Sequence, residues 1–266
     1  TVTQGSESDT LAGAFEYTAA SAAWTPANIT TALWLDANDS ATITLDGSSN
    51  VEQWDDKSSN ARHLDQSASG DRPPVSSAAL NGQDVISFDG STHHLTGNAF
   101  LWELGSAMVH IVMKGANTSN DYLLTENSTS SESPFYSPFR SDGSTAVEPF
   151  LRDDSSTIIY NSPRLGNFYS DSWVIASIVD DSISLTGRVD GGASTSGSYT
   201  RSTLTVDILT LGALIFGTRS PGFHQKADIA EIVVTSGDTD RLKIEGYLAH
   251  KWGLEANLPS DHPYKS

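Results

Sequence analysis

The stretch at residues 86–97 reads ISFDGSTHHLTG, and its adjacent pair His93 and His94 is the first group whose chemistry suggests a site. Imidazole titrates near neutral pH, relays protons and ligates metals. If Leu95 points into a core, the two-residue period of a strand sets His93 on the same side and His94 on the opposite face. The rings then diverge and cannot share one metal ion without a bulge. A hydrogen-bonded structural role is expected for His93, and for His94 either that role or an exposed contact to a ligand.

Carboxylates are the next candidates. Asp153-Asp154 and Asp180-Asp181 are sequence neighbours whose side chains part on a strand, which suits solvated turns better than an acid and a base facing one bond. In ALWLDAND, Trp34 and Asp36 sit close together, and in QWDDKS Trp54 precedes Asp55 and Asp56. Trp54 can stack on a sugar ring. Asp36, Asp39, Asp55 or Asp56 can offer oxygens to calcium, which takes roughly six to eight of them. The other reading makes these tryptophans core residues and these aspartates turn formers. No acidic loop has the regular spacing of an EF-hand.

Residues 118–163 are rich in Ser, Thr, Asp and Asn, and Tyr122, Phe135, Tyr136, Phe139, Phe150 and Tyr160 are scattered among them. Rings among hydroxyls and amides suit a surface that touches glycan or protein, and they suit equally a core between variable loops. Tyr122, Tyr136 and Phe139 therefore join His94 and Trp54 as candidate ligand-binding residues, with no catalytic residue among them.

Composition narrows the partners. The chain has no cysteine, which removes disulfides, thiol nucleophiles and cysteine-based zinc sites. Its 15 Lys and Arg against 33 Asp and Glu leave a net charge of -18, so nucleic acid is repelled over most of the surface. No apolar run approaches the length of a membrane span, so no membrane insertion is expected. The start of the sequence lacks the basic residues and apolar run of a signal peptide, although a processed chain would already have lost one.

The elements that position these residues read as all-β. From Trp24 onward, short apolar runs alternate with Gly, Asn, Asp, Ser and Pro clusters at the spacing of an antiparallel sandwich, which 266 residues can fill as one domain. Asp-Gly-Ser triplets at Asp46, Asp89 and Asp142, and the Asp190-Gly191-Gly192 stretch, mark tight hairpin turns in which glycine takes a positive φ. Ile183, Leu185, Gly187 and Val189 alternate with polar residues as a strand with one buried face. Met108 to Met113 is apolar on both faces and reads as a central strand covered on each side. One helix is expected over 240–252, with Ile244, Leu248 and Trp252 on one face, Asp238 or Thr239 as cap, and Gly253 closing it. The tail LPSDHPYKS should run extended over the surface.

Three segments, TPANITTALWLDANDSATITLDGSSNVEQWDDKSSNARHLDQ, NGQDVISFDGSTHHLTG and DIAEIVVTSGDTDRLKIEGYLAHKWGLEANLPSDHPYK, together carry a resemblance. They resemble the concanavalin A-like, laminin-G-like jelly-roll modules of bacterial surface proteins and of bacteriophage tail or head proteins. The resemblance spans about residues 24–265 and is weakest in the middle, about 118–171. It implies a two-sheet antiparallel jelly-roll sandwich, with Asp228 to Val234 a late strand feeding the C-terminal helix. It also implies binding of glycans or protein partners, often with calcium. Hydrolases on this fold carry a Glu-x-Asp-x-x-Glu strand, which is absent here, and no Ser or Cys triad is readable. In the family the residues after the Asp-Gly turn are acidic and then aromatic, so His93-His94 inherits no role.

The resulting expectation is a non-enzymatic glycan-binding or adhesion module at a virion surface or outside a bacterial cell, meeting a glycan or a host surface component. A structural virion decoration protein is the alternative. Residues 1–24 read as an extended arm before a sandwich domain at 25–266. Leu11, Phe15 and Tyr17 are the arm's large apolar groups before Trp24, and Phe15 and Tyr17 fall on one side of an extended chain. That spacing suits addition to a neighbour's sheet, which would anchor the chain to other virion subunits, to a homo-oligomer or to a larger assembly; packing onto its own sandwich is the alternative.

Overall fold

The computed structural model describes residues 24–160 and 163–266. The expected contacts of Leu11, Phe15 and Tyr17 fall outside the described residues.

In chain order the first strands are β1 (Thr31–Asp36), β2 (Ile43–Leu45), β3 (Val51–Trp54), β4 (Leu64–Asp65), β5 (Val75–Leu80), β6 (Gln83–Asp89), β7 (Leu95–Asn98) and β8 (Ala107–Gly115). There follow β9 (Ser119–Asn127), β10 (Phe135–Asp142), β11 (Phe150–Arg152), β12 (Ile158–Tyr160), β13 (Val174–Asp180), β14 (Ser184–Val189), β15 (Thr195–Ser198), β16 (Ile208–Leu211) and β17 (Lys226–Thr235). Among the described residues one α-helix, α1 (Arg241–Trp252), follows β17.

These strands form two antiparallel sheets packed as a sandwich. The first runs β15-β14-β13-β8-β17-β6-β5, with β1 also paired to β17, and the second runs β12-β11-β10-β9-β16-β7-β4-β3-β2. The ten-residue β17 pairs with β6 through Lys226 to Ile229 and with β1 through Glu231 to Thr235. As read from sequence, β8 is central, and its apolar character on both faces follows from its two covers. Val109, Ile111 and Met113 face the second sheet, whereas Met108, His110 and Val112 lie on the other face, where Met108 and Val112 join the core under α1.

A bulge decides what lies under that helix. Against β8, the register of β17 shifts between Ile229 and Glu231, so Ala230 is the extra residue. Strict alternation would place Glu231 on the same face as Ile229, in the inter-sheet core. The bulge turns it outward instead. There Glu231 Oε1 accepts the Trp34 indole at 2.6 Å and the Tyr247 hydroxyl at 2.9 Å. Its Oε2 accepts the Trp252 indole at 2.6 Å and the Lys251 ammonium at 2.7 Å. Lys251 also reaches Asp36 at 2.7 Å, and Lys57 joins Asp36 and Asp39 at 2.8 and 2.6 Å. Burial and the neighbouring Asp36 raise the Glu231 carboxyl, against the pull of the Lys251 ammonium and the hydrogen bonds it accepts.

The helix carries Ile244, Leu248 and Trp252 on its buried face, all 0 % exposed, and Gly253 ends it at φ 67°. Its start differs from expectation. Asp240 occupies the cap position but its carboxylate accepts Lys243 at 2.9 Å and caps no backbone amide, and the Arg241 amide donates to the Asp238 carbonyl. The tail is not extended either: it turns back, burying His262 against Glu245 at 3.2 Å, while Arg241 holds the same carboxylate at 2.7 Å. Three other expectations need correction. Ile183 precedes β14 and is 67 % exposed, so the buried face begins at Leu185. Asp153 and Asp180 are turn formers but buried, their oxygens bonded to Ser155 and Thr157 and to Tyr199 and Ser182. The turn at Asp89 is no hairpin, because β6 and β7 lie in different sheets; at Asp46 the positive φ falls on Ser49 and not on Gly47.

Two stability tests follow. Trp252→Ala should cost about 3 to 5 kcal/mol as a large core truncation, and Glu231→Gln about 1 to 3 kcal/mol by turning an amide donor on the indole, hydroxyl and ammonium donors that the carboxylate accepts, both measured by urea unfolding. His110, wholly buried with neither ring nitrogen bonded, has its pKa pushed by burial from 6.5 to about 3. The unfolded chain takes up this proton and the folded one does not, so stability is lost as pH falls below the unfolded value. The stability advantage of His110→Met over wild type should therefore grow by about 2 kcal/mol between about pH 7.5 and about pH 5.

Candidate functional site

The outer face of the second sheet carries an aromatic layer. On β9 to β11, register pairs Tyr122 with Arg140, Phe135 with Arg152 and Phe150 with Ser137, setting these side chains on one face. A register shift beside Leu123 and Leu124 lets both leucines enter the inter-sheet core while Tyr122 stays outside. Phe135 stacks on Phe150 with ring centres 5.1 Å apart and meets Tyr122 edge-on at 6.5 Å. The Arg140 guanidinium lies over Phe150 at 5.1 Å, and Arg152 lies over Phe135 at 5.2 Å.

A loop between β16 and β17 extends this layer. The Gly212 amide donates to the Leu123 carbonyl at 2.7 Å, and Leu214 and Gly222 exchange two backbone bonds of 2.9 Å. Gly212 is needed there: its φ is 92°, and a Cβ would strike the Phe88 ring. The Tyr122 amide donates to the Phe223 carbonyl at 3.0 Å, which fixes Phe223 on the sheet. Phe216 then contacts Phe135 at 5.7 Å, and Phe223 contacts Tyr122 at 6.0 Å. Phe223 is 50 % exposed and sits at φ 53°, a left-handed conformation that costs a bulky residue about 1 kcal/mol or more. An exposed ring on strained backbone presents an apolar plate to solvent against Tyr122, over which the Arg140 guanidinium lies at 5.8 Å.

The residues singled out from sequence divide by side. Tyr122 lies in this layer, 6 % exposed behind Phe223. Tyr136 and Phe139 point the other way into the inter-sheet core, at 1 % and 0 % exposure, so neither ring can meet a ligand. Trp54 is likewise a core residue at 0 %. His94 is a buried residue and not an exposed contact: it is 5 % exposed, with Gln66 at 2.9 Å and its ring 5.8 Å from that of His224. The alternation argument failed here because β7 begins at Leu95, leaving both histidines in the preceding turn. His93 is half-buried, its amide donating to Asp89 at 3.0 Å while its Nδ1 makes no bond.

The aspartates read as calcium ligands are otherwise engaged. Asp36 and Asp39 hold lysines, Asp55 meets Gln53 and His63, and Asp56 accepts the amides of Trp34, Ser58 and Arg62. Among the described residues no group of three or more His, Asp or Glu is placed to hold a metal ion, so these donors do not fit calcium. Five carboxyls have the raised pKa that marks many catalytic acids. Burial pushes Glu126 up to about 7 and Asp190 up to about 6, and raises Asp121, Asp180 and Glu231; Asp190 is engaged by the Ile175 amide at 2.8 Å and Glu231 by its four donors. Yet Glu126 is 0 % exposed and caps the amides of Phe100, Leu101 and Trp102, and Asp180 is 3 % exposed, so neither meets a substrate. A groove of about 480 Å³ beside α1, lined by Trp24, Tyr247 and Tyr264, has mostly carbon walls that suit an apolar group better than a sugar.

Sequence reading missed Phe216 and Phe223, which fall outside the region it marked. Their signal was aromatics placed among turn residues in IFGTRSPGFH.

No protein-family model matches the chain, and no curated protein matches it in sequence. Solved structures match its fold. The binding domain of Paraclostridial Mosquitocidal Protein 1 aligns with TM-score 0.57 and 9% identity over 85% of this chain and 53% of that one. The botulinum neurotoxin serotype D binding domain aligns at 0.51 and 14% over 78% and 48%, and a Trypanosoma rangeli sialidase mutant displaying trans-sialidase activity at 0.54 and 10% over 84% and 33%. The chain thus spans about half the length of the first two and a third of the last. The likeness is one of fold, an all-β sandwich of two antiparallel sheets.

Among the described residues no helix is long and apolar enough to cross a membrane. A test of the backbone argument is Phe223→Asn: asparagine adopts the left-handed conformation readily, so the lost ring contacts and the relieved strain should nearly cancel, leaving unfolding free energy within about 1 kcal/mol of wild type.

Proposed function

We propose that this domain is a non-enzymatic glycan-binding or adhesion module, displayed outside a cell or on a particle surface, that meets sugar through the outer face of its second sheet. The observation that carries the reading is Phe223, half exposed on left-handed backbone and backed by Tyr122, Phe216 and Phe135. Aromatic plates stack on the apolar faces of sugar rings, and neighbouring guanidinium, hydroxyl and amide groups bond their hydroxyls. Two of the structurally similar proteins are named as binding domains, which supports the reading. The buried carboxyls offer no acid and base to an entering glycan, which is why a binding role is favoured over hydrolysis. A purely decorative virion protein gains nothing from a strained exposed ring, and that favours binding over decoration.

The test is a glycan array probed with wild type and with Phe223→Asn. Wild type should bind a defined set of oligosaccharides, and Phe223→Asn should weaken those signals by about tenfold or more while the melting temperature holds. Unchanged binding in Phe223→Asn and in Phe150→Ala would remove this face from the function.

A further inference from the structure

The two arginines on the aromatic face differ in one respect. Both have a buried Nε without a partner, but the terminal nitrogens of Arg140 are engaged within the chain, Nη1 on Glu148 at 3.0 Å and Nη2 on Asn120. Arg152 stacks over Phe135 and Phe150 at 5.2 and 5.7 Å, its Nε is buried without a partner, and among the described residues no acceptor bonds any of its nitrogens. With 33 acidic residues against 15 basic ones, the chain does not lack carboxylates to supply a partner. Leaving a half-buried guanidinium unmatched forgoes charge-assisted hydrogen bonds, which are stronger than neutral ones. The aromatic rings below it also fix its plane, so its fork is preorganised for a planar or tetrahedral oxyanion.

We propose that Arg152 is the anion anchor of this face, and that the glycan bound there carries a negatively charged sugar, a carboxylate or a sulfate ester. The proposal rests on the glycan reading above and adds its charge. The anchor takes the oxyanion, while the apolar side of the glycan lies on the exposed rings. The net charge of -18 repels a long polyanion, but at physiological ionic strength screening acts over about 8 Å and leaves a close ion pair intact. The fitting ligand is therefore a short oligosaccharide with an isolated acidic sugar.

The experiment uses an array on which each oligosaccharide is present in neutral, carboxylate-bearing and sulfated forms, probed with wild type, Arg152→Gln and Arg152→Lys. Wild type should favour one charged form over its neutral counterpart by about tenfold or more, and which form wins identifies the oxyanion. Arg152→Gln should erase that preference while neutral signals stay within about twofold, and Arg152→Lys should restore part of it. Equal wild-type binding to neutral and charged forms overturns the anion anchor and leaves the glycan reading standing. Uniform weakening of all forms by Arg152→Gln, with an unchanged melting temperature, also overturns it by making Arg152 a support for the rings. Failure of wild type to bind any form overturns both.

Discussion

The fold is organised around one buried carboxylate. Glu231, 0 % exposed, would be costly to bury alone, and four donors from two other elements make it tolerable. Trp34 arrives from β1, and Tyr247, Lys251 and Trp252 arrive from the helix, Trp34 and Glu231 lying 197 positions apart in sequence. Asp36 lies directly across the ladder from Glu231, and Lys251 bridges the two like charges. The early strand, the late strand and the helix are therefore fastened at one point. Because the fastening joins distant parts of the chain, it can form only once the sheet between them is assembled.

The same interaction explains why the sandwich has two apolar layers. One lies between the sheets, and the other lies between the first sheet and α1. The bulge at Ala230 sends Glu231 to the second of these, where two indoles, a hydroxyl and an ammonium meet it, and keeps a charge out of the first, whose lining is apolar.

What the sequence disclosed followed from regular periods. The i, i+4, i+8 spacing of Ile244, Leu248 and Trp252 identified the helix, and the two-faced apolarity of residues 108–113 identified the central strand. Both patterns persist over enough residues to be read. What it hid were interruptions of those periods. The bulge beside Leu123 and Leu124 separates Tyr122 from Tyr136 and Phe139, which look alike in sequence, and the late start of β7 removes His93 and His94 from strand alternation. Trp34 and Trp54 belong to structural contacts because each meets partners far away in sequence, which composition and spacing cannot show. The aromatic face was half visible: the marked region supplies β9 to β11, but the rings that cap it come from a loop more than fifty residues later.

That loop is held by its main chain. Gly212, Leu214, Gly222 and Phe223 are fastened through backbone amides and carbonyls to one another and to β9, so the anchoring does not depend on the side chains between residues 215 and 221. The scaffold and its tip are thereby uncoupled. Substitutions at the tip can change the chemistry of this surface while the frame that presents it stays the same.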